Sequence, residues 1–140
     1  MVTKMNKHLT ERNFQHCPLI YRNNPDGSNT LVNRYGFECG DGWFEIIFNF
    51  SIEAEAKVKE MKEEGAEEIR LPLVLQVKEK LGGLRIYMDK SCETINALID
   101  SAQKKAARTC ELCGNSGIRR ESETGWLMTL CDECAIDHCE

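Results

Sequence analysis

At 140 residues, 41% apolar and 29% charged, the chain has the composition of an ordinary globular protein of one domain, or of one small domain with an appendage. No window approaches the roughly 18 apolar residues of a membrane helix, and the polar stretch 1–13 shows no apolar signal region, so neither a membrane helix nor secretion is expected and a reducing cytoplasm is. The formal net charge of −5 argues against tight non-specific binding of nucleic acid, whose affinity comes largely from phosphate contacts.

Residues 1–40 read as irregular. A dense turn cluster runs from Asn23 through Pro25, Asp26 and Gly27 to Asn29. After it, Leu31, Val32, Tyr35 and Phe37 have the makings of a short strand. Gly40-Asp41-Gly42 then punctuates the chain, with Asp41 as the expected cap of the following helix.

That helix is expected over residues 43–64. Trp43, Ile47, Phe50, Ala54 and Met61 recur at helical spacing, and Phe44, Phe48 and Ile52 widen the stripe. Its second half is charged, with Glu and Lys three and four apart, and Gly65 supplies the stop. Residues 71–89 read as a β-hairpin. Leu73, Leu75 and Val77 alternate with Val74, Gln76 and Lys78, and Leu84, Ile86 and Met88 alternate with Arg85 and Tyr87. The Gly82-Gly83 pair is the expected turn. A hairpin of this kind needs a helix on its apolar side, and the Trp43 helix is the candidate. A second helix over 92–109 carries Ile95, Leu98, Ile99, Ala102 and Ala106 on one face, with Lys104, Lys105 and Arg108 in its last turns, where cations suit the helix dipole.

That helix leads into Cys110-Glu-Leu-Cys113-Gly114. Seventeen residues separate Cys113 from Cys131-Asp-Glu-Cys134. Two such pairs at this separation signal a zinc site. Two intervening residues permit a tight turn that points both sulfurs at one centre, and Gly114 suits the positive φ such a turn uses. Four thiolates fill a tetrahedron and leave no position for water or substrate, so one structural Zn²⁺ at Cys110, Cys113, Cys131 and Cys134 is expected. Iron is a rarer occupant of the same ligand set. Four thiolates and one Zn²⁺ would take the net charge from −5 to about −7. Between the pairs, 118–120 and 126–130 read as short strands around a turn, a zinc-ribbon layout.

Four cysteines remain: Cys17, Cys39, Cys92 and Cys139. His16 beside Cys17 and His138 beside Cys139 invite a second metal site, but packed free thiols are the simpler reading. Cys39 has no base near it in sequence. No catalytic motif stands out: there is no GxSxG, no HExxH and no Walker-type phosphate loop, and the chain's three histidines lie near its ends. The polar side of the hairpin holds Lys78, Lys80, Arg85 and Tyr87. Together with Lys104, Lys105 and Arg108 these residues form either a solvated face or a basic surface for an anion or an acidic protein.

The segments 36–43 (Gly-Phe-Glu-Cys-Gly-Asp-Gly-Trp), 76–87 (Gln-Val-Lys-Glu-Lys-Leu-Gly-Gly-Leu-Arg-Ile-Tyr), 110–114 and 125–134 occur in an order that resembles a family of small zinc-ribbon proteins of phage and bacterial genomes, often described only as hypothetical. The resemblance spans roughly residues 35–135. It implies the four cysteine ligands, implies no catalytic residue, and groups Asp41, Gly42, Trp43, Lys78, Lys80, Gly82, Gly83, Leu84, Arg85 and Tyr87 as one surface or packing unit.

The expected fold is α+β: residues 1–109 form a small antiparallel sheet or hairpin packed by two helices, and residues 110–140 form the zinc ribbon. The expected function is non-enzymatic binding of a host protein or a small anionic ligand such as a signalling nucleotide, in a phage protein that inhibits bacterial defence. The alternatives are a nucleic-acid-binding ribbon using Lys104, Lys105, Arg108, Arg119 and Arg120, and a hydrolase or nuclease with an unrecognised site.

Overall fold

The polar N-terminal stretch is helical after all. The computed structural model describes residues 3–138 and places α1 at Lys7–His16 and α2 at Leu31–Tyr35, where the sequence pointed to irregular chain and a strand. Caps rather than periodicity make these helices. Asn6 accepts from Leu9 N at the start of α1. Thr30 accepts from Asn33 N at the start of α2, and Gly36 closes it at φ +73°. Five residues are too few to show a 3.6-residue repeat, and α1 buries little beyond Asn13.

Helix α3 spans Phe44–Glu63 and turns Phe44, Ile47, Phe50, Ala54 and Val58 into the core. A single 3₁₀ turn, Asp41–Trp43, precedes it. Asp41 does not cap α3. Its carboxylate instead accepts from Asn6 N and Asn6 Nδ2, at 2.8 and 2.9 Å, and so ties the start of α1 to this corner.

The hairpin consists of β1, Leu73–Lys80, and β2, Gly83–Asp89, antiparallel. Its turn residues are Leu81 and Gly82, with φ of +54° and +83°, one place earlier than the expected Gly82-Gly83. Two consecutive positive φ values define a two-residue turn whose twist matches the strands. Gly82 N donates to Glu79 Oε2, which holds the turn closed. The register slips between Val74 and Gln76, so Leu75 bulges. That bulge lets Val74 and Val77, three apart, both point into the core with Leu84 and Ile86, and it breaks the simple alternation read from sequence. Glu38 adds a short parallel bridge along the other edge of β1, at Lys78.

Helix α4, Glu93–Ala106, packs on α3 and on β2 and buries Ile95, Ala102 and Ala106. The main core therefore lies between the hairpin and this helix pair, around Trp43, Phe37, Ile20 and Leu71. Loop 17–22 is fixed by a half-buried cation and a buried carboxylate. Arg22 donates to the carbonyls of Leu19, Glu68, Leu71 and Pro72. Glu55, 2% exposed, accepts from Leu19 N and Ile20 N at 3.0 and 2.9 Å. Glu55→Ala leaves both amides unpaired beside the core, so urea denaturation should show a loss of about 3 kcal/mol, with Glu55→Gln recovering roughly half.

The C-terminal segment pairs β3, Ile118–Glu121, with β4, Leu127–Leu130, and ends in α5, Asp132–His138. Its own core is small: Cys110, Met128, Leu130 and Cys131, flanked by Leu112, Cys134 and Ala135. The α+β class, the packed hairpin and the four-cysteine ribbon are thus as expected. Among the described residues no helix is long and apolar enough to cross a membrane.

Candidate metal centre and its surroundings

Two backbone turns bring the cysteines together. The first runs from Cys110 to Gly114, whose φ of +84° and N–H to Cys110 O at 3.0 Å close the knuckle. The second runs off β4 through Cys131 into the first turn of α5, which carries Cys134. The sulfurs of Cys110, Cys113, Cys131 and Cys134 all lie within 4.8 Å of one another, and Cys113 Sγ is 3.6 Å from Cys131 Sγ. Metal–sulfur bonds of about 2.3 Å in a regular tetrahedron place sulfurs about 3.8 Å apart, so this set can hold one metal ion. Cys134 N also points at Cys131 Sγ, at 3.4 Å. Burial pushes the Cys110 thiol up, but backbone groups of Cys131, Cys113 and Leu112 outweigh it and bring the thiol down to about 7. The Cys134 thiol is raised, first by burial and then by its sulfur neighbours. A cation at the centre would relieve that crowding of negative charge.

The ribbon is locked to the rest of the chain at one corner. Gly42 N donates to Glu111 O at 2.8 Å, Gly40 N donates to Glu111 Oε2 at 2.9 Å, and Trp43 Nε1 donates to Thr109 O at 2.8 Å. Glu111, between two ligands, is fully buried, and Thr3 Oγ1 also donates to its carboxylate. On the far side, Thr129 Oγ1 donates to Gly82 O at 2.7 Å, which joins β4 to the hairpin turn.

Among the described residues, Cys17, Cys39 and Cys92 join no second cluster. Among the described residues no other cluster of three or more His, Cys, Asp and Glu side chains converges on a point. Cys17 is buried, with its thiol pushed up to about 12 by burial and then by Glu55, while neighbouring His16 is exposed and sits edge-on against Phe48. Cys39 is fully buried and its thiol is held well above the usual range, by burial first and then by Glu111. Cys139 and the His138 side chain lie outside the described residues. Brief alkylation of the metal-loaded protein should therefore modify half-buried Cys92 and spare Cys17 and Cys39, as read by peptide mass spectrometry.

The expected binding surface is partly redrawn. Trp43 is wholly buried and belongs to the core, not to an exposed face. Asp41 is exposed but engaged by Asn6. Lys78 lies opposite Arg85, and Gln76 opposite Tyr87, on the outer side of the hairpin, with Lys80 beside the turn. Lys104 pairs with Asp100 at 2.9 Å, and Arg120 pairs with Asp132 at 2.7 Å. Lys105 lines the groove between α3 and α4 beside Glu45 and Glu53, and Arg108 is exposed past the end of α4. Arg85 shares a cleft with Arg119 of β3, a residue expected only in the nucleic-acid alternative. The cleft, of about 380 Å³, is also lined by Leu81, Gly82, Gly83 and Gln103. Nothing local in the sequence signals this meeting, because it depends on Gly82 packing against β4.

Comparison of the chain with protein-family models, with curated proteins and with solved structures finds no match.

Proposed function

We propose that Cys110, Cys113, Cys131 and Cys134 hold one Zn²⁺ as a closed structural centre, and that the protein works by binding a ligand at the junction between hairpin and ribbon rather than by catalysis. The observation that carries this reading is the convergence of the four sulfurs within 4.8 Å, in a segment whose own core is very small. Four thiolates suit zinc and leave it no open coordination position. The metal's contribution is then to shape the ribbon and hold β3 beside the hairpin. In the setting implied by the resemblance to phage zinc-ribbon proteins, the ligand is a host protein or a signalling nucleotide, and its capture blocks a bacterial defence.

Purified protein is expected to carry one zinc per chain. With Co²⁺ in its place, the visible bands of a tetrahedral four-thiolate centre should appear and stay unchanged when phosphate or imidazole is added. A folded sample without zinc, or a cobalt spectrum that shifts with these additives, would overturn the closed site. The nucleic-acid alternative rests on Lys105, Arg108 and Arg119, since the other two cations of its set are paired. It requires affinity for DNA or RNA that falls steeply with salt.

A further inference from the structure

We infer that the cleft between the hairpin turn and the ribbon is an anion site for the phosphoryl group of a small ligand, of the size of a nucleoside monophosphate. This rests on the binding reading above and gives it a ligand class and a place.

The cleft is lined by Leu81, Gly82, Gly83, Arg85, Gln103, Ala107, Arg119 and Thr129. No carboxylate is among them, in a chain whose 23 acidic residues outnumber its 18 basic ones. Among the described residues neither Arg85 nor Arg119 has an acidic partner within 4.0 Å, whereas Lys104 and Arg120 do. Arg85 spends one Nη1 bond on Leu84 O, at 3.0 Å. Arg119 donates to no protein acceptor among the described residues. Most of the donors of two guanidinium groups, from two separate elements, are therefore free in one concave space.

The diglycine makes that space. A Cβ on Gly83 would stand 2.8 Å from Arg85 Nη1, and one on Gly82 would stand 3.4 Å from Arg119 Cγ. Each arginine lies against bare backbone, and a side chain at Gly83 would push the Arg85 guanidinium aside. Gln103 is fixed by its own bond to Leu84 O at 2.8 Å, which seals the edge of β2. Thr129 holds the floor through Gly82 O. The planar guanidinium fork pairs bidentately with phosphate oxygens, and two positive charges match a phosphate dianion. A volume of about 380 Å³ exceeds what inorganic phosphate fills and lies in the range of small-ligand pockets.

The test is calorimetric titration of the zinc-loaded protein with inorganic phosphate, with adenosine 5′-monophosphate and with succinate. The nucleotide should bind, phosphate should bind more weakly, and succinate should bind at least about tenfold more weakly than the nucleotide. Arg119→Gln, at an exposed position, should weaken nucleotide binding by about tenfold or more, and Arg85→Gln should do the same. Gly83→Ala keeps both charges and needs no unusual backbone angle, yet it should weaken binding because it displaces a guanidinium. Lys104→Gln, a charge change outside the cleft, should leave binding unchanged. Absence of binding at millimolar nucleotide in a folded, zinc-loaded sample overturns the site, as does binding that Arg119→Gln and Gly83→Ala leave intact. Succinate binding as tight as that of nucleotide overturns the phosphoryl assignment. A sample without zinc instead counts against the structural reading above, so the two failures are separable.

Discussion

Replacing Cys131 by serine is expected to abolish stoichiometric zinc binding and to unfold residues 110–138, while the core between α3, α4 and the hairpin stays folded. A serine hydroxyl is a poor zinc ligand at neutral pH, and Cys131 sits centrally in the cluster, 3.6 Å from Cys113 Sγ and accepting from Cys134 N. Structural zinc contributes about 10–16 kcal/mol to the folding of small metal domains. The segment's own core supplies little beside the metal. Of the four fully packed residues in its core, Cys110 and Cys131 are themselves ligands, which leaves Met128 and Leu130. The apolar area of those two side chains is worth only a few kcal/mol, on the order of 2 to 3 for each, and ordering nearly thirty residues of backbone costs far more. The measurement is zinc content together with amide exchange. Protection of the Glu111 amide, which donates to Thr129 O, should vanish, and protection along Phe44–Glu63 should persist. A variant that keeps one zinc and a protected Glu111 amide would show that the ribbon does not depend on the four-thiolate set.

How far the sequence foretold this molecule depends on where the information lay. The four-cysteine cluster, α3, α4 and the hairpin were legible because each rests on local spacing: two residues between cysteines, a 3.6-residue stripe, an alternation of two. Helix α2 was not, because five residues carry no stripe, although its caps Thr30 and Gly36 were in plain view. The turn at Leu81-Gly82 was misplaced by one because two adjacent glycines satisfy the same rule, and only the register of Lys80 with Gly83 decides between them. Trp43, grouped with Asp41 by the resemblance as one surface or packing unit, proves to be packing: its indole reaches across to Thr109 O, 66 residues on. The cleft was least legible of all. Arg85 and Arg119 belong to different sheets, and only the docking of the ribbon brings them together.

That docking gives the second large expectation. Gly42→Ala should separate the ribbon from the Gly40–Trp43 corner without releasing the metal. A Cβ on Gly42 would lie 2.2 Å from Cys110 O, 2.6 Å from Gly114 N and 2.7 Å from the Glu111 carbonyl carbon. All three are backbone atoms of the cysteine knuckle, so no side-chain rotation relieves the overlap and the two segments must move apart. The movement breaks the bonds that Gly42 N donates to Glu111 O, Gly40 N to Glu111 Oε2 and Trp43 Nε1 to Thr109 O. It also opens the burial of Glu111, whose carboxylate burial already raises towards the protonated form. Overpacking alone costs about 1–3 kcal/mol, and three lost hydrogen bonds, one of them to a carboxylate, add about 3 more. A loss of about 4–6 kcal/mol is therefore expected in chemical denaturation. Every zinc ligand comes from residues 110–134, so zinc content should remain at one per chain, in contrast to Cys131→Ser. Nucleotide affinity should fall with the docking, because Arg119 would no longer face Arg85 across Gly82-Gly83. A Gly42→Ala protein that loses its zinc would mean that the knuckle needs the Gly40–Trp43 corner to form at all. One that keeps full stability would mean that the close approach of these two backbones is not what joins the ribbon to the fold.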